Sequence, residues 1–261
     1  MRSRRTTDRP SATVLVLAKA PRPHRVKTRL CPPLTGSEAA AVAAVALTET
    51  LTTIGTVPGI RRVLALSGDL DRAQGTDMIS EALDGFTVIE QRGSDLATKI
   101  VNAHLDCGPG PVFQVGMDTP QLTAALIIAA LHELTVEGGP DATLGPATDG
   151  GWWGLGLRRA TAVAPVAGVP MSTSSTGTDT LAALRSAGLR VSLLPALRDV
   201  DTIADARAVA AMAPHTGFAA LIRTLIDTES PPDPRNADLS EVRTAMASTS
   251  SDKVGWSGVA R

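Results

Sequence analysis

The stretch Thr13-Val14-Leu15-Val16-Leu17-Ala18 runs directly into Lys19-Ala20-Pro21-Arg22-Pro23-His24-Arg25-Val26-Lys27-Thr28-Arg29-Leu30. Its first six residues are apolar or β-branched without a break, the pattern of a strand buried on both faces of a parallel sheet. The next twelve form a proline-rich, basic loop. Residues 9–37 hold six cations and no carboxylate, and two of the chain's four lysines lie there. So many uncompensated cations repel one another unless they hold an anion. Open α/β sheets bind ligands beyond the carboxyl ends of their strands, which is where this loop falls.

Working outward, strand and helix patterns alternate to about residue 228. Thr35-Gly36-Ser37-Glu38 has capping-box spacing and opens an Ala-rich helix to about residue 53. Strands are expected at 62–67, 86–90, 111–116, 142–147, 152–157 and 190–194. Helices are expected from Ser94-Asp95 to 104, over 123–137 and 178–187, and from Thr202-Ile203-Ala204-Asp205 onward. Residues 123–137 are apolar on nearly every face, which predicts a helix buried against the sheet. The expected fold class is α/β, a three-layer α/β/α domain with a mostly parallel central sheet, over residues 12–228. Residues 1–11 and 229–261 lack apolar periodicity and read as flexible tails.

Composition narrows the function. Hydrophobic residues make up 43% of the 261 and aromatics 2%, with no tyrosine, so aliphatic packing carries the core. Scarce aromatics argue against single-stranded nucleic-acid binding, which uses stacking platforms. A net charge of -1 gives no general attraction to polyanions or membrane surfaces. Cys31 and Cys107 make neither a disulfide framework nor a zinc spacing, and read as reduced thiols. The Arg-rich start imitates a secretion signal, but its apolar run ends at Lys19, and no run is long enough to span a bilayer. A cytoplasmic location is expected.

Five segments are candidates for chemistry. In the basic loop, lysine offers a mobile charge and arginine a planar fork for phosphate oxygens, while Pro21 and Pro23 stiffen the backbone. The glycine-rich dinucleotide fingerprint and the P-loop are both absent, so neither dehydrogenase nor ATPase chemistry is supported. Asp118, in Gly116-Met117-Asp118-Thr119-Pro120, follows the fourth strand and is placed either to hold a divalent cation or to cap a turn. In Thr148-Asp149-Gly150-Gly151-Trp152-Trp153, the glycines permit close approach to a ligand or an ordinary hairpin, and at most one Trp faces the cleft, as a platform or as core. Asp199 and Asp201 share one face of an extended stretch, for a metal or for a helix start. The hydroxyl-rich residues 171–180 suit an acceptor, a phosphate or a plain linker.

Taken in order, Leu17-Ala18-Lys19-Ala20-Pro21-Arg22-Pro23 with Val26-Lys27-Thr28-Arg29-Leu30, Gly116-Met117-Asp118-Thr119-Pro120, Ala147-Thr148-Asp149-Gly150-Gly151 and Asp199-Val200-Asp201-Thr202 resemble one bacterial family. It is the GT-A-like (Rossmann-like) nucleotide-diphospho-sugar transferase family catalogued as a domain of unknown function, with members beside arsenosugar biosynthesis genes. The resemblance covers about residues 12–227. The Lys-Thr-Arg-Leu and Asp-Val-Asp-Thr runs also resemble phospholactate guanylyltransferases and related nucleotidyltransferases. The resemblance implies that Lys19, Lys27 and Arg29, with Ala18, Pro21 and Arg22, hold the nucleotide phosphates. It implies that Asp118 and Asp201 share Mg²⁺ or Mn²⁺ and that Asp149 lies in the acceptor cleft as a base. Two departures stand out: Gly116 occupies the first acidic position of the usual Asp-x-Asp motif, and Trp152-Trp153 replaces the family's Tyr or Phe pair. The expected function is metal-assisted transfer of a sugar from a nucleotide-diphospho-sugar to a small-molecule acceptor. The alternatives are nucleotidyl transfer from a nucleoside triphosphate to a phosphorylated small molecule, and nucleotide binding without catalysis.

Overall fold

A computed structural model of the chain describes residues 12–226. The expected tails, and the last two residues of the expected domain, lie outside the described residues. The order of the seven-stranded sheet is β3-β2-β1-β4-β6-β5-β7. Its members are β1 (Ala12–Lys19), β2 (Ile60–Ser67), β3 (Phe86–Glu90), β4 (Val112–Val115), β5 (Ala142–Pro146), β6 (Trp152–Leu157) and β7 (Val191–Leu193). Among the described residues, only β6 runs antiparallel to its neighbours, and the other pairings are parallel. The mostly parallel α/β architecture expected from the alternating pattern is therefore present.

β1 lies near the middle, which accounts for its unbroken apolar run. Val14, Val16 and Ala18 face one layer and Leu15 the other. On the first side lies α1 (Gly36–Gly55), opened by the Thr35–Glu38 capping box. Ala40, Ala43, Ala44, Leu47 and Leu51 pack with the sheet. Ala39, Ala41, Val42, Val45 and Ala46 join α6 (Ile203–Met212) and α7 (Gly217–Ile226). A helix covered on both sides is apolar all round, and alanine lets its neighbours approach closely.

Glycines on β5 and β6 make room for the few aromatic side chains. Trp153 is buried edge-on to Phe113, with ring centroids 6.0 Å apart. A Cβ on Gly145 would stand 2.4 Å from the Trp153 ring, and one on Gly154 3.0 Å from Phe113. The Trp153 indole N–H donates to the Pro195 carbonyl at 2.9 Å.

Three elements depart from expectation. α4 (Ala124–Thr135) buries Ile127, Ala130, Leu131 and Leu134 but leaves Ile128 49% exposed. It is an outer-layer helix with one covered face, because nothing among the described residues packs on its far side as α6 and α7 pack on α1. α2 (Thr76–Ala82) is too short for its period to show in sequence. α7 was not resolved as a separate helix in the apolar pattern. The remaining two helices, α3 (Leu96–Asp106) and α5 (Thr176–Ser186), cover the opposite face, beside a 3-10 segment at Ala160–Gly168. No helix among the described residues is long and apolar enough to cross a membrane.

Candidate functional site

The chain leaves β1 toward β2 on one side, while β4 pairs β1 on the other. That reversal opens a crevice at the carboxyl ends of β1 and β4. The basic loop enters it from β1 and Asp118 from β4. The loop floor is pinned by its backbone. The Gln91 amide donates to the Ala18 carbonyl at 2.7 Å and to the Ala65 carbonyl at 2.9 Å, and the Gln74 N–H donates to the Pro21 carbonyl at 2.7 Å. Ala18 and Pro21 thus shape the loop with their carbonyls already bonded. Lys19, Arg22 and Arg25 make no ion pair among the described residues.

Lys27 and Arg29 behave differently. Lys27 adopts a left-handed backbone (φ 48°) at the start of a 3-10 turn, Thr28–Leu30. Leu30, fully buried, anchors that turn in the α1–α6–α7 cluster. The Lys27 ammonium, 10% exposed, lies 2.6 Å from an Asp118 oxygen. Arg29, 70% exposed, pairs with Asp201. Expected phosphate ligands thus meet expected metal ligands.

The acids come together because the chain after β7 runs back along the crevice. The Val200 N–H donates to the Asp118 carbonyl at 2.9 Å, and the Gln121 amide to the Arg198 carbonyl at 2.7 Å. Asp199 is pushed up to about 7 by burial first, then by Asp118, Asp149 and Asp201, with Lys27 opposing. One Asp199 oxygen is buried without a hydrogen-bond partner among the described residues. The Thr119 hydroxyl, in a residue 1% exposed, is likewise unpartnered. Of the Asp199/Asp201 pair, then, Asp199 reaches the acidic cluster and Asp201 is held by Arg29.

Asp149 is exposed, and one of its oxygens accepts from the Gly151 N–H at 2.8 Å. Turn chemistry accounts for that half of the carboxylate. The close approach permitted by Gly150 (φ 93°) is real, but it is made by the chain itself. A Cβ there would stand 2.0 Å from the Ser174 carbonyl oxygen, and the Gly177 N–H donates to the Gly150 carbonyl at 2.8 Å. The hydroxyl-rich loop is therefore seated on the Asp149 turn. Trp153 belongs to the core. Trp152 is half-buried against the α3–α5 side, with its indole N–H unpartnered.

Among the described residues no three His, Cys, Asp or Glu side chains converge into a group able to hold a metal ion by themselves. Magnesium commonly takes only one or two carboxylates and completes its shell with water and substrate phosphates. Asp118 and Asp199, the latter with a buried oxygen that bonds to nothing, fit that smaller donor set. Sequence alternation places Asp199 and Asp201 on one face and carries no information about which of them is covered.

Residues 50–173 match the family described as "Uncharacterized protein conserved in bacteria (DUF2064)". This agrees with the resemblance drawn from the motifs, and the matched span contains Asp118 and Asp149. No curated protein matches the chain by sequence. Among solved structures, a presumptive nucleotide-diphospho-sugar transferase from Desulfovibrio desulfuricans G20 superposes with a TM-score of 0.71 at 24% identity, over 82% of this chain and 95% of that one. A cytidylyltransferase from Leptospira borgpetersenii gives a TM-score of 0.51 at 12% identity, over 83% and 94%. A 4-diphosphocytidyl-2C-methyl-D-erythritol synthase gives 0.52 at 12%, over 78% and 98%. The chain shares the fold of these proteins.

Proposed function

We propose that the protein is a glycosyltransferase that takes a sugar from a nucleotide-diphospho-sugar and delivers it to a small-molecule acceptor. The observation that carries this reading is the Lys27–Asp118 pair, where a cation loop on one wall of the crevice meets an acid cluster on the other. Lys19 and Arg22, free of ion pairs, are placed to bind the diphosphate, with Lys27 beside them as a third positive charge. Asp118 and Asp199 would hold Mg²⁺ or Mn²⁺, which supplies charge neutralisation at the leaving diphosphate. The acceptor hydroxyl oxygen attacks the anomeric carbon as the bond to the diphosphate oxygen breaks. Asp149 takes the hydroxyl proton on the oxygen not bonded to Gly151. The products are a glycoside and a nucleoside diphosphate. The name of the Desulfovibrio relative supports the reading.

The nucleotidyltransferase alternative draws support from the names of the two cytidylyl-transferring relatives. There the basic loop would steady the triphosphate, and pyrophosphate would leave.

Thermal-shift measurements with nucleotide-sugars and nucleoside triphosphates, each with and without Mn²⁺, separate the two. A ligand at 100 times its dissociation constant adds about 2.7 kcal/mol. A metal-dependent shift with one nucleotide-sugar is expected; a shift with triphosphates alone would move the assignment to nucleotidyl transfer. Asp118→Ala is expected to abolish turnover while its circular dichroism stays unchanged. Wild-type kinetics in that variant would remove the metal assignment.

A further inference from the structure

We propose that the acceptor is an uncharged polyol, bound on the rim formed by the Asp149 turn and the hydroxyl loop at residues 172–175 that is seated on it. This rests on the glycosyltransferase reading and narrows its substrate class. The crevice is partitioned by charge. Lys19, Arg22 and Arg25, the cations without ion pairs in its neighbourhood, all sit on the β1 loop. On the opposite half, residues 117–122, 147–151 and 170–180 contain no lysine or arginine, and Arg198, on the segment returning from β7, is paired with Asp205 at 2.8 Å. Lys27 and Arg29 reach across, but each is matched to one carboxylate, Asp118 and Asp201. Asp149 and Asp199 make no ion pair among the described residues, Asp199 being offset only in part by Lys27.

An anionic acceptor, whether phosphomonoester or carboxylate, would have to settle against those acids where each nearby cation is already paired with a carboxylate. Like-charge juxtaposition is an effective way to reject a ligand. Hydroxyls suit the surface instead. The Thr176 hydroxyl, in a buried residue, accepts from the Thr173 N–H at 3.0 Å and donates to the Pro170 carbonyl at 3.0 Å, pinning the loop's base. The Ser175 hydroxyl donates to Asp179 at 2.7 Å. Ser172 and Ser174 are exposed, and their hydroxyls make no hydrogen bond among the described residues. Each offers a donor and an acceptor to a partner of the same kind, as sugar and cyclitol hydroxyls are. The contact of Gly150 with Ser174 fixes this array beside Asp149, where the acceptor proton must go.

The test uses backbone amide NMR of the full chain. Glycerol, glucose and myo-inositol are titrated in parallel with their monophosphates, reading the amides of Gly150, Gly151 and Gly177. Separate titrations with UDP and GDP read the amides of Lys19, Lys27 and Arg29. At least one uncharged polyol is expected to move the glycine amides, and no monophosphate is expected to do so at equal concentration. A monophosphate that moves them at the same or lower concentration overturns the proposal, and so does silence from both classes. UDP and GDP leaving the loop amides unmoved would instead count against the glycosyltransferase reading, and that result is read from different residues. Ser174→Lys supplies a gain-of-function check: one cation on the rim should tighten monophosphate binding about tenfold. No gain would mean that charge is not what excludes these ligands.

Discussion

Lys27 shows how much of the site depends on a single side chain. Its ammonium is nearly enclosed and its partner Asp118 lies beside the buried Asp199. Removing Lys27 leaves the half-exposed Asp118 and the buried Asp199 facing each other without the positive charge that offsets them. Lys27→Ala is therefore expected to weaken UDP or GDP binding about tenfold or more by calorimetry. Arg29→Ala should change it by less than about threefold, because the Arg29–Asp201 pair is largely solvent-screened. Equal losses in the two variants would show that the loop acts by summed charge rather than by placement. At this scale the sequence was legible in kind but not in pairing. That the loop carries cations and the Asp118 and Asp199-Val200-Asp201 segments carry acids is plain from composition. Which acid meets which cation is decided by the Val200–Asp118 backbone bond, which joins residues far apart in the chain.

Helix starts make the same contrast between local and remote information. The opening of α1 is written in four consecutive residues and forms as spaced. That of α7 is not. Thr216 accepts from the Ala219 N–H at 3.1 Å, but alanine stands at the third helical position where an acid would complete the box. Glu49 from α1 instead accepts from the Phe218 N–H at 3.0 Å, satisfying another of the helix's first free amides. Burial pushes the Glu49 carboxyl up to about 7. It keeps its proton in the fold over a range where the unfolded chain has lost it. Its contribution is therefore most favourable below its ordinary value of 4.5 and declines as pH rises toward 7. The decline amounts to at most about 3 kcal/mol. His104, fully buried and pulled down to about 4 by burial, works in the other direction: stability falls as pH drops from 6.5 toward 4. Urea denaturation of Glu49→Gln is expected to remove the component that falls between pH 4.5 and about 7, leaving the rise between about 4 and 6.5 that His104 contributes. An unchanged profile would mean that Glu49 is ionised in the fold. The glycines of β5 and β6 allow a second check. Gly145→Ala should cost about 1–3 kcal/mol, because the new methyl meets the rigid Trp153 ring. A neutral result would show that the indole can shift.

Over the whole molecule, the order of the strands does what no single motif can. It sets β1 beside β4, so that a basic loop and an acidic turn from distant parts of the chain share one crevice. Alternating strand and helix patterns make that topology legible. The outer layer is less so, because α2 is short and the exposed Ile128 disguises an edge helix as a buried one. The scarcity of aromatic side chains has an optical consequence. With no tyrosine and only three tryptophans, near-ultraviolet emission excited at 295 nm comes from Trp152, Trp153 and Trp256 alone. Trp153 is sealed in the core, whereas Trp152 directly follows the Gly150-Gly151 turn and is half-buried, its indole N–H covered and without a hydrogen-bond partner among the described residues. An acceptor settling on that turn is expected to shift or quench the Trp152 contribution, and Trp152→Phe should abolish the change. The protein thus carries an intrinsic fluorophore beside the Gly150-Gly151 turn, and titrations can be followed in a fluorimeter without any label.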